Sequence, residues 1–428
     1  MKILLIGSGG REHALAWKIV QSRHCQKLYC LPGNAGTSAI AENVAIDPTD
    51  LLRVAAFAAG ERIDLTVVGP EQPLAMGIVD EFEKRKLHIF GPNKKAAEIE
   101  ESKVFAKQFM DRHKIPSARY RVANSAERAL EIAKSGEFSY PLVVKADGLA
   151  AGKGVIICPS PDKADEAVHR IMGRREFGDA GNKVIIEEFL TGKEVSFIVL
   201  TDGVKVRPLV TTMDHKAALD GDRGPNTGGM GAISPSPFLD KKLFAEIVDT
   251  IVIPTVTRLL EEGRKFRGVL YCGLMLTPKG PVVLEYNCRF GDPETQPQML
   301  RLQSDLVETM LDILEDNVLA HEMKWSLRPA GCVILASGGY PDKYEKHKPI
   351  SGLEEAAKIP GVTLFHAGTR LEEGRCLTSG GRVLGVCASE ETLADTMRKI
   401  YSAVQQISFE GMHYRKDIGA VLKEGGGK

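Results

Sequence analysis

Short apolar runs alternate with amphipathic stretches through the first hundred residues: Lys2 to Gly7, then Arg11 to Gln21; Lys27 to Leu31, then Pro48 to Ala59; Asp64 to Gly69, then Pro73 to Lys84; and finally His88 to Gly91. Short apolar runs bounded by turn residues suit buried strands, and one-sided apolar spacing suits helices lying on them. Strand and helix in strict alternation predict a parallel, doubly wound sheet, with ligands beyond the carboxyl ends of its strands.

From about Ala118 the rhythm changes to a compact α+β unit. Strands are predicted near Tyr120, over Pro141 to Ala146, Val155 to Cys158 and Lys183 to Phe189, with one helix from Ser125 and another after Cys158. Such an insert could move as a lid. Further on, strands are predicted over Val195 to Leu200, Val204 to Thr211, Val269 to Thr277 and Val282 to Asn287, and helices around Lys241 to Glu262 and Ser304 to Asp316. A strand at Gly331 to Ala336 opens the last hundred residues, and the polar tail Lys423 to Lys428 is expected to fray. The expected division is therefore 1–103, a doubly wound domain; 104–117 with 194–326, a central domain; 118–193, a lid; and 327–428, a small C-terminal domain.

Composition acts mainly by exclusion. The 56 basic residues balance 56 acidic ones, so no net field holds nucleic acid or an anionic membrane, and an anionic ligand needs a local cluster. No run reaches the ~18 apolar residues of a membrane span, and the start carries too short an apolar run for a secretion signal, so a cytoplasmic protein is expected. The eight cysteines form no C-x-x-C pair and read as reduced, mostly buried thiols.

Several stretches carry candidate chemistry. Gly7-Ser8-Gly9-Gly10-Arg11-Glu12-His13 joins a strand to a helix, where glycines allow close backbone approach and the helix N-terminus can take a phosphate. Glu12 stands at the third glycine of a dinucleotide fingerprint, and Leu31-Pro32-Gly33-Asn34 lacks the ribose-binding acid, which speaks against NAD. A small phosphorylated ligand and a purely structural turn both remain open. Lys145-Ala146-Asp147-Gly148-Leu149-Ala150-Ala151-Gly152-Lys153-Gly154 has the wrong spacing for a Walker A loop and runs into the strand-like Val155-Ile156-Ile157. It predicts a hairpin flap whose amides can close over phosphates, or else a mere glycine-rich hairpin.

Glu187-Glu188-Phe189-Leu190-Thr191-Gly192-Lys193-Glu194 links two strands, where backbone groups can meet an adenine edge and Glu194 a ribose; an exposed acidic loop is the alternative. In Glu285-Tyr286-Asn287 the first and third side chains share one face of a strand and suit Mg²⁺. The following Cys288-Arg289-Phe290-Gly291-Asp292-Pro293-Glu294 can hold a carboxylate and an ammonium, or simply cap the next helix. Met213 to Ala232 is polar and glycine-dense, predicting a long loop without a core, in which Asp214, Lys216 and Asn226 line a pocket.

Together these stretches resemble the ATP-grasp superfamily: a glycine flap after a strand lysine, an adenine hinge ending in Glu and a late Glu-x-Asn pair. Within it, Gly9-Gly10-Arg11-Glu12-His13-Ala14, Pro32-Gly33-Asn34-Ala35-Gly36-Thr37, Gly69-Pro70-Glu71, Asp214-His215-Lys216, Gly224 to Gly231 and Asn287 to Glu294 are similar to the phosphoribosylamine-glycine ligase family. The similarity spans most of the chain, and the length matches the ligase without fused activities. It implies an α/β and α+β multidomain fold, with a Rossmann-like domain, ATP-grasp domains and a small C-terminal domain. The implied reaction joins glycine to 5-phosphoribosylamine with ATP, through a glycyl phosphate, in purine biosynthesis.

By the same resemblance, Lys103 and Lys145 contact the ATP phosphates, and the flap with Gly148, Gly152, Lys153 and Gly154 covers them. Glu187, Glu188 and Leu190 frame adenine, Glu194 holds ribose, and Glu285 and Asn287 bind Mg²⁺, with Mn²⁺ as an alternative. Gly9, Gly10, Asp214, Asn226, Arg289 and Asp292 are implied at the substrates, with Arg289, Asp214 and Lys145 as the catalytic set. The sequence Tyr271-Cys272-Gly273-Leu274-Met275 lacks the second acidic ligand of many superfamily members, which speaks against a two-metal site. A monomer acting on small molecules is expected. The competing expectations are another ATP-grasp enzyme, such as a ribonucleotide carboxylase or formyl-phosphate transferase, a nucleotide-binding regulator without turnover, and an NAD oxidoreductase.

Overall fold

The computed structural model describes residues 1–150 and 153–420, so Gly152 of the flap and the tail from Lys423 lie outside the described residues. The first hundred residues form an all-parallel sheet in the order Glu42–Asn43, Lys27–Pro32, Lys2–Gly7, Leu65–Val68, Ile89–Phe90. Ile3 and Leu5 enter one core, Leu4 and Ile6 the other, as a parallel strand covered on both faces requires. Strand order reverses between Lys2–Gly7 and Leu65–Val68, which puts the ligand crevice beside Gly7 to Gly10 and Gly69 to Glu71. The single helix expected over Pro73 to Lys84 is two, Glu71–Met76 and Ile78–Lys84, broken where Gly77 takes a φ of 97°.

The insert is an antiparallel sheet ordered Tyr120–Ala123, Val184–Glu188, Leu142–Ala146, Val155–Cys158. Alternation along its strands decides everything about it. Leu142, Val144 and Ile186 pack with Ala129, Ile132, Ala164 and Val168 of the helices Ala126–Lys134 and Pro161–Val168, whereas Val143, Lys145 and Glu187 turn the other way, into a cavity. Lys145 pairs with Val155 across the hairpin, so the glycine-rich stretch does connect two strands and does not enter a helix.

The central sheet runs Val206–Pro208, Lys193–Thr201, Gly268–Thr277, Gly280–Asn287, all antiparallel. The strand expected over Val204 to Thr211 is thus much shorter. Phe197 and Val199 join the core that holds Leu4 and Ile6, and Ile198 and Leu200 the core that holds Ile3 and Leu5, so this sheet and the N-terminal one are packed as one body.

The segment from Met213 to Ala232 departs from expectation. It was read as too polar for a core, yet Met213, Ala217, Ala218, Met230, Ala232 and Ile233 are buried. It forms the hairpin Ala217–Leu219 with Arg223–Asn226, and the strand Gly231–Ser234 beyond it. Small residues explain this: a Cβ on Gly231 would sit 2.7 Å from the Cys332 carbonyl, so only glycine lets the strands approach. The C-terminal sheet is ordered Met213–Asp214, Gly231–Ser234, Ala330–Ala336, Arg382–Ser389, Val362–His366, with the helix Leu393–Val404 against it. Its hydrogen bonding therefore crosses the division expected at residue 326.

Candidate active site

A cavity of about 510 Å³ opens where these regions meet. On the lid side, the Lys145 ammonium is ion-paired to Glu187 and donates to the Leu284 carbonyl at 3.2 Å. Lys107 meets the other oxygen of Glu187 at 2.7 Å. Burial opposes the charge on Glu187, but Lys145 and Lys107 outweigh it and hold the carboxyl below its usual range. Glu187 is 2% exposed, whereas Thr191 to Glu194 are exposed, so the acidic stretch is buried only at its first residue and open at its end. Glu188 instead pairs with Arg119 at 2.9 Å, and Leu190, Phe189, Val143, Ile157 and Met275 supply an apolar wall. Lys103 donates to the Gly148 carbonyl at 2.8 Å. Gly148 has a φ of 147° and a Cβ there would stand 2.7 Å from that of Ala180, so this position tolerates only glycine. Lys153 and Gly154 line the cavity; Gly148 is not among its lining residues.

Across from the lid, Glu285 and Asn287 flank the buried Tyr286 and project together into the cavity. Lys216 lies 3.5 Å from Glu285 and 3.4 Å from Glu194. Its charge is the main reason the Glu285 carboxyl is pushed down to about 2, against burial and with help from Lys145, Lys103 and Arg289. A carboxylate kept ionised beside an amide oxygen fits a hard divalent cation, and the surrounding ammonium groups leave room for an anionic polyphosphate to complete the charge balance. Among the described residues no cluster of three or more His, Cys, Asp or Glu forms a metal cage. A divalent ion at Glu285 and Asn287 would accordingly take its other ligands from phosphate and water. Gly273 is the residue paired with Glu285 across the strands.

The remaining wall is built from strand ends and the loop after Asn287. Asp214, Asn226, Arg289, Asp292 and Glu294 all line the cavity. Burial, then the neighbouring Glu294, push the Asp214 carboxyl well above its usual range despite Lys216 and Arg382. Glu294 does not cap the helix Thr295–Arg301; it accepts from Ser196 at 2.8 Å, and Ser196 also meets the Tyr271 hydroxyl at 2.8 Å. Arg289 reaches Glu71 at 3.2 Å, Glu100 at 3.3 Å and Asn287 Oδ1 at 3.3 Å. Gly9 and Gly10 do not line the cavity, although Cβ atoms there would lie 3.4 and 3.7 Å from the Asp292 carboxylate. The Gly9 amide donates to Glu12 at 2.6 Å, so the helix N-terminus is already met by its own side chain.

Sequence reasoning missed Glu100, Tyr340 and Arg382 as part of this wall, and nothing local marks them. Glu71 lies inside a motif that assigns it no role, and Lys216 is expected only to line a pocket; their tertiary partners, Arg289 and Glu285, define what each does.

Models of the family described as phosphoribosylglycinamide synthetase match its N domain at residues 1–100, its ATP-grasp (A) domain at 101–295 and its C domain at 330–421. The chain belongs to this family. Its relatives include the phosphoribosylamine-glycine ligase of Pseudomonas aeruginosa, 50% identical over 431 residues and all of both chains. That of Vibrio parahaemolyticus is 47% identical over 429 residues, 99% of each. The crystal structure of phosphoribosylamine-glycine ligase from Thermotoga maritima superposes with a TM-score of 0.84 at 34% identity, covering 97% of this chain and 100% of that one. The biotin carboxylase domain of Hydrogenobacter thermophilus 2-oxoglutarate carboxylase, solved with MgADP, ADP and bicarbonate, shares the fold alone: TM-score 0.73, 16% identity, covering 96% and 91%. The family's A and C domains part the rival ATP-grasp expectations from this chain.

Proposed function

We propose that this cavity ligates glycine to 5-phosphoribosylamine, forming glycinamide ribonucleotide with ADP and phosphate, as the family does. The observation that carries the site assignment is the convergence on one carboxylate. Glu285 is held ionised by Lys216, Lys145, Lys103 and Arg289, which come from separate parts of the chain and surround one space.

ATP lies with adenine against Leu190 and the hinge Glu187 to Glu188, its ribose at Glu194 and its phosphates between Lys103, Lys145 and the Gly148 to Gly154 flap. Glu285 and Asn287 hold Mg²⁺, or Mn²⁺, which neutralises phosphate charge when bound. Lys216, 3.5 Å from Glu285, would add positive charge on the phosphate side of the cavity. A glycine carboxylate oxygen attacks the γ-phosphorus and ADP leaves, giving glycyl phosphate. The phosphoribosylamine nitrogen attacks the acyl carbon, phosphate departs, and the nitrogen loses a proton. Asp214, its carboxyl raised by burial and by the neighbouring Glu294, and Asp292, held low by Arg382 against burial, face the amine side, with Asn226, Gly9 and Gly10 flanking it. Arg289, fixed by Glu71 and Glu100, supplies a buried positive charge for the carboxylate. Positioning and exclusion of water carry the rate. The four-part division stated from sequence is retained as functional units, and the chain is taken to act as a cytoplasmic monomer. No helix among the described residues is long and apolar enough to cross a membrane.

The test is ADP formation from ATP, Mg²⁺ and phosphoribosylamine generated in place, with and without glycine, while glycinamide ribonucleotide is followed by mass. Product and ADP must appear together and only with glycine. Turnover with a different carboxylate would remove the substrate assignment, and absence of ATP turnover the site itself.

A further inference from the structure

The acceptor loops are held from outside the ATP-grasp region. Arg382 begins the strand Arg382–Ser389 of the C-terminal sheet and reaches back into the cavity wall. Its Nη1 donates to the Gly228 carbonyl at 2.5 Å and to the Asp292 carbonyl at 2.7 Å, and its Nη2 pairs with the Asp292 carboxylate at 3.1 Å. From the same region, the Tyr340 hydroxyl accepts the Gly228 amide at 3.1 Å. Both polar groups of one glycine are thus fastened by C-terminal side chains.

That glycine precedes a tight stack. Gly229 has a φ of 110°, and a Cβ there would fall 2.6 Å from Asp214 Oδ1 and collide with Pro293. The backbone clamped by Arg382 therefore runs into the narrow space between Asp214 and Pro293, the residue that follows Asp292. Asp292 is fixed at its other oxygen by the Gln296 amide at 2.9 Å. The Nη1 donors and one Nη2 contact are taken by protein acceptors on these loops, so the guanidinium acts there as a brace. A planar fork that serves two carbonyls and a carboxylate at once cannot be reproduced by lysine.

We infer that Arg382, with Tyr340, is a positioning residue for the amine acceptor: it aligns Asp292 and the Gly228 to Gly229 backbone so that the amine and its sugar hydroxyls meet oriented acceptors. The inference rests on the functional reading above and adds to it the part played by the C-terminal domain. Neither Arg382 nor Tyr340 is among the residues proposed above to hold the nucleotide.

The experiment compares full-length wild type with Arg382→Met, Arg382→Lys and Tyr340→Phe, measuring KM for phosphoribosylamine and for glycine, kcat, and the Kd of Mg·ATP. Arg382→Met is expected to raise the phosphoribosylamine KM on the order of a hundredfold, the scale of an ångström-sized misplacement, with the Kd of Mg·ATP unchanged. Arg382→Lys should recover only part of this, since it restores the charge but not the fork. Tyr340→Phe, which deletes one acceptor and keeps the ring, should show the same selectivity to a smaller extent, and stands in for Arg382→Met if that variant does not fold. An unchanged phosphoribosylamine KM, or a Kd for Mg·ATP that worsens in parallel with it, would overturn the proposal. Failure of the functional reading shows separately, as wild type that uses another amine, and the same split is then read on that amine.

Discussion

The lid and the C-terminal region border the same cavity but are built into the molecule in opposite ways. The lid's core runs from Ala123 to Ile186 and holds no described residue from the rest of the chain. Its ties to the body are polar: Lys145 to the Leu284 carbonyl, Lys103 to the Gly148 carbonyl, Ser102 to Asp147 at 3.0 Å and Lys107 to Glu187. In the C-terminal region, by contrast, Cys332, Ile334, Phe365 and Cys387 lie in one core with Ile3, Leu5 and Leu15 of the N-terminal domain. An element with its own core can swing without exposing apolar surface, at roughly 25 cal/mol per Å² avoided; one that shares a core cannot. The lid is therefore expected to be the part that moves and the C-terminal side the part that stays fixed, which the experiments below test.

The largest expected effect sharpens this contrast through Glu285, on the immobile wall that faces the lid. Glu285→Gln keeps the shape and removes the charge that Lys216, Lys145 and Lys103 surround. Product formation should fall on the order of a thousandfold, the scale of losing a preorganised charge at a reacting phosphate. Hydrogen exchange supplies the second half of the test. Mg·ATP should protect lid amides in wild type and not in the variant, while exchange in the C-terminal sheet stays the same in both. Equal protection of both regions by nucleotide would break the distinction between them.

Next in size is a pair of core truncations. Phe365 is fully buried between His13 and Trp17, which meet its ring edge-on at 5.6 and 5.9 Å, whereas Phe138 is buried inside the lid. Each change to Ala should cost about 3–5 kcal/mol locally, transfer and cavity terms together. Phe365→Ala is expected to lower the main denaturant midpoint, because its core joins domains. Phe138→Ala should instead release a lid-only transition, seen as fast exchange limited to residues 120–188. A single shared transition in the second variant would mean the lid is not an independent unit.

The contrast also explains what could be read from the sequence. Lys2 to Gly7 and its successors were legible because parallel strands buried on both faces write continuous apolar runs. The flap hairpin was legible because Val155-Ile156-Ile157 is too β-branched and too short to start a P-loop helix. Met213 to Ala232 is not, because its buried Met213, Ala217, Ala218, Met230 and Ala232 are scattered among glycines and polar residues without a strand or helix period. In the site, residue types and spacing point to Glu285, Asn287 and the flap, and the family resemblance to Lys145, all of which line or border one cavity. They could not expose Arg382 against Asp292 or Arg289 against Glu71, since those partners stand far apart in the chain and meet only through the shared sheets. Nor could they show that Glu294 turns away from the helix it precedes and toward Ser196.

A smaller effect is expected from pH, at the seam between the N-terminal and C-terminal regions. The His366 amide donates to His13 Nδ1 at 2.8 Å, which fixes that nitrogen as an acceptor. Burial, and then His366, lower the pKa of His13 to about 3; burial lowers that of His366 to about 4. The unfolded chain therefore binds protons that the folded chain refuses. Stability is complete above the ordinary histidine value near 6.5 and is lost as pH falls from there toward 4, by at most about 1.4 kcal/mol per pH unit for each group. Urea midpoints between pH 7.5 and 5 should show this slope. His13→Asn should flatten it, although its neutral-pH midpoint is expected to fall; an unchanged slope would exclude the seam as its source.

The smallest effect is expected at the hinge. Arg119 pairs with Glu188 at 2.9 Å, but the guanidinium is 67% exposed and the backbone amide of Arg119 already donates to the same carboxylate at 2.8 Å. Exposed pairs contribute about 0–1 kcal/mol, and here the amide remains when the side chain goes. Arg119→Ala should therefore leave the denaturant midpoint nearly unchanged. A modest rise in the KM for ATP is still expected, because Glu188 gains rotational freedom where the adenine edge is proposed to lie. The two readouts separate the hinge from the lid core: a change in stability comparable to Phe138→Ala would mean that Arg119 clamps the lid to the body, and the lid could not then pivot on its polar contacts as its self-contained core allows.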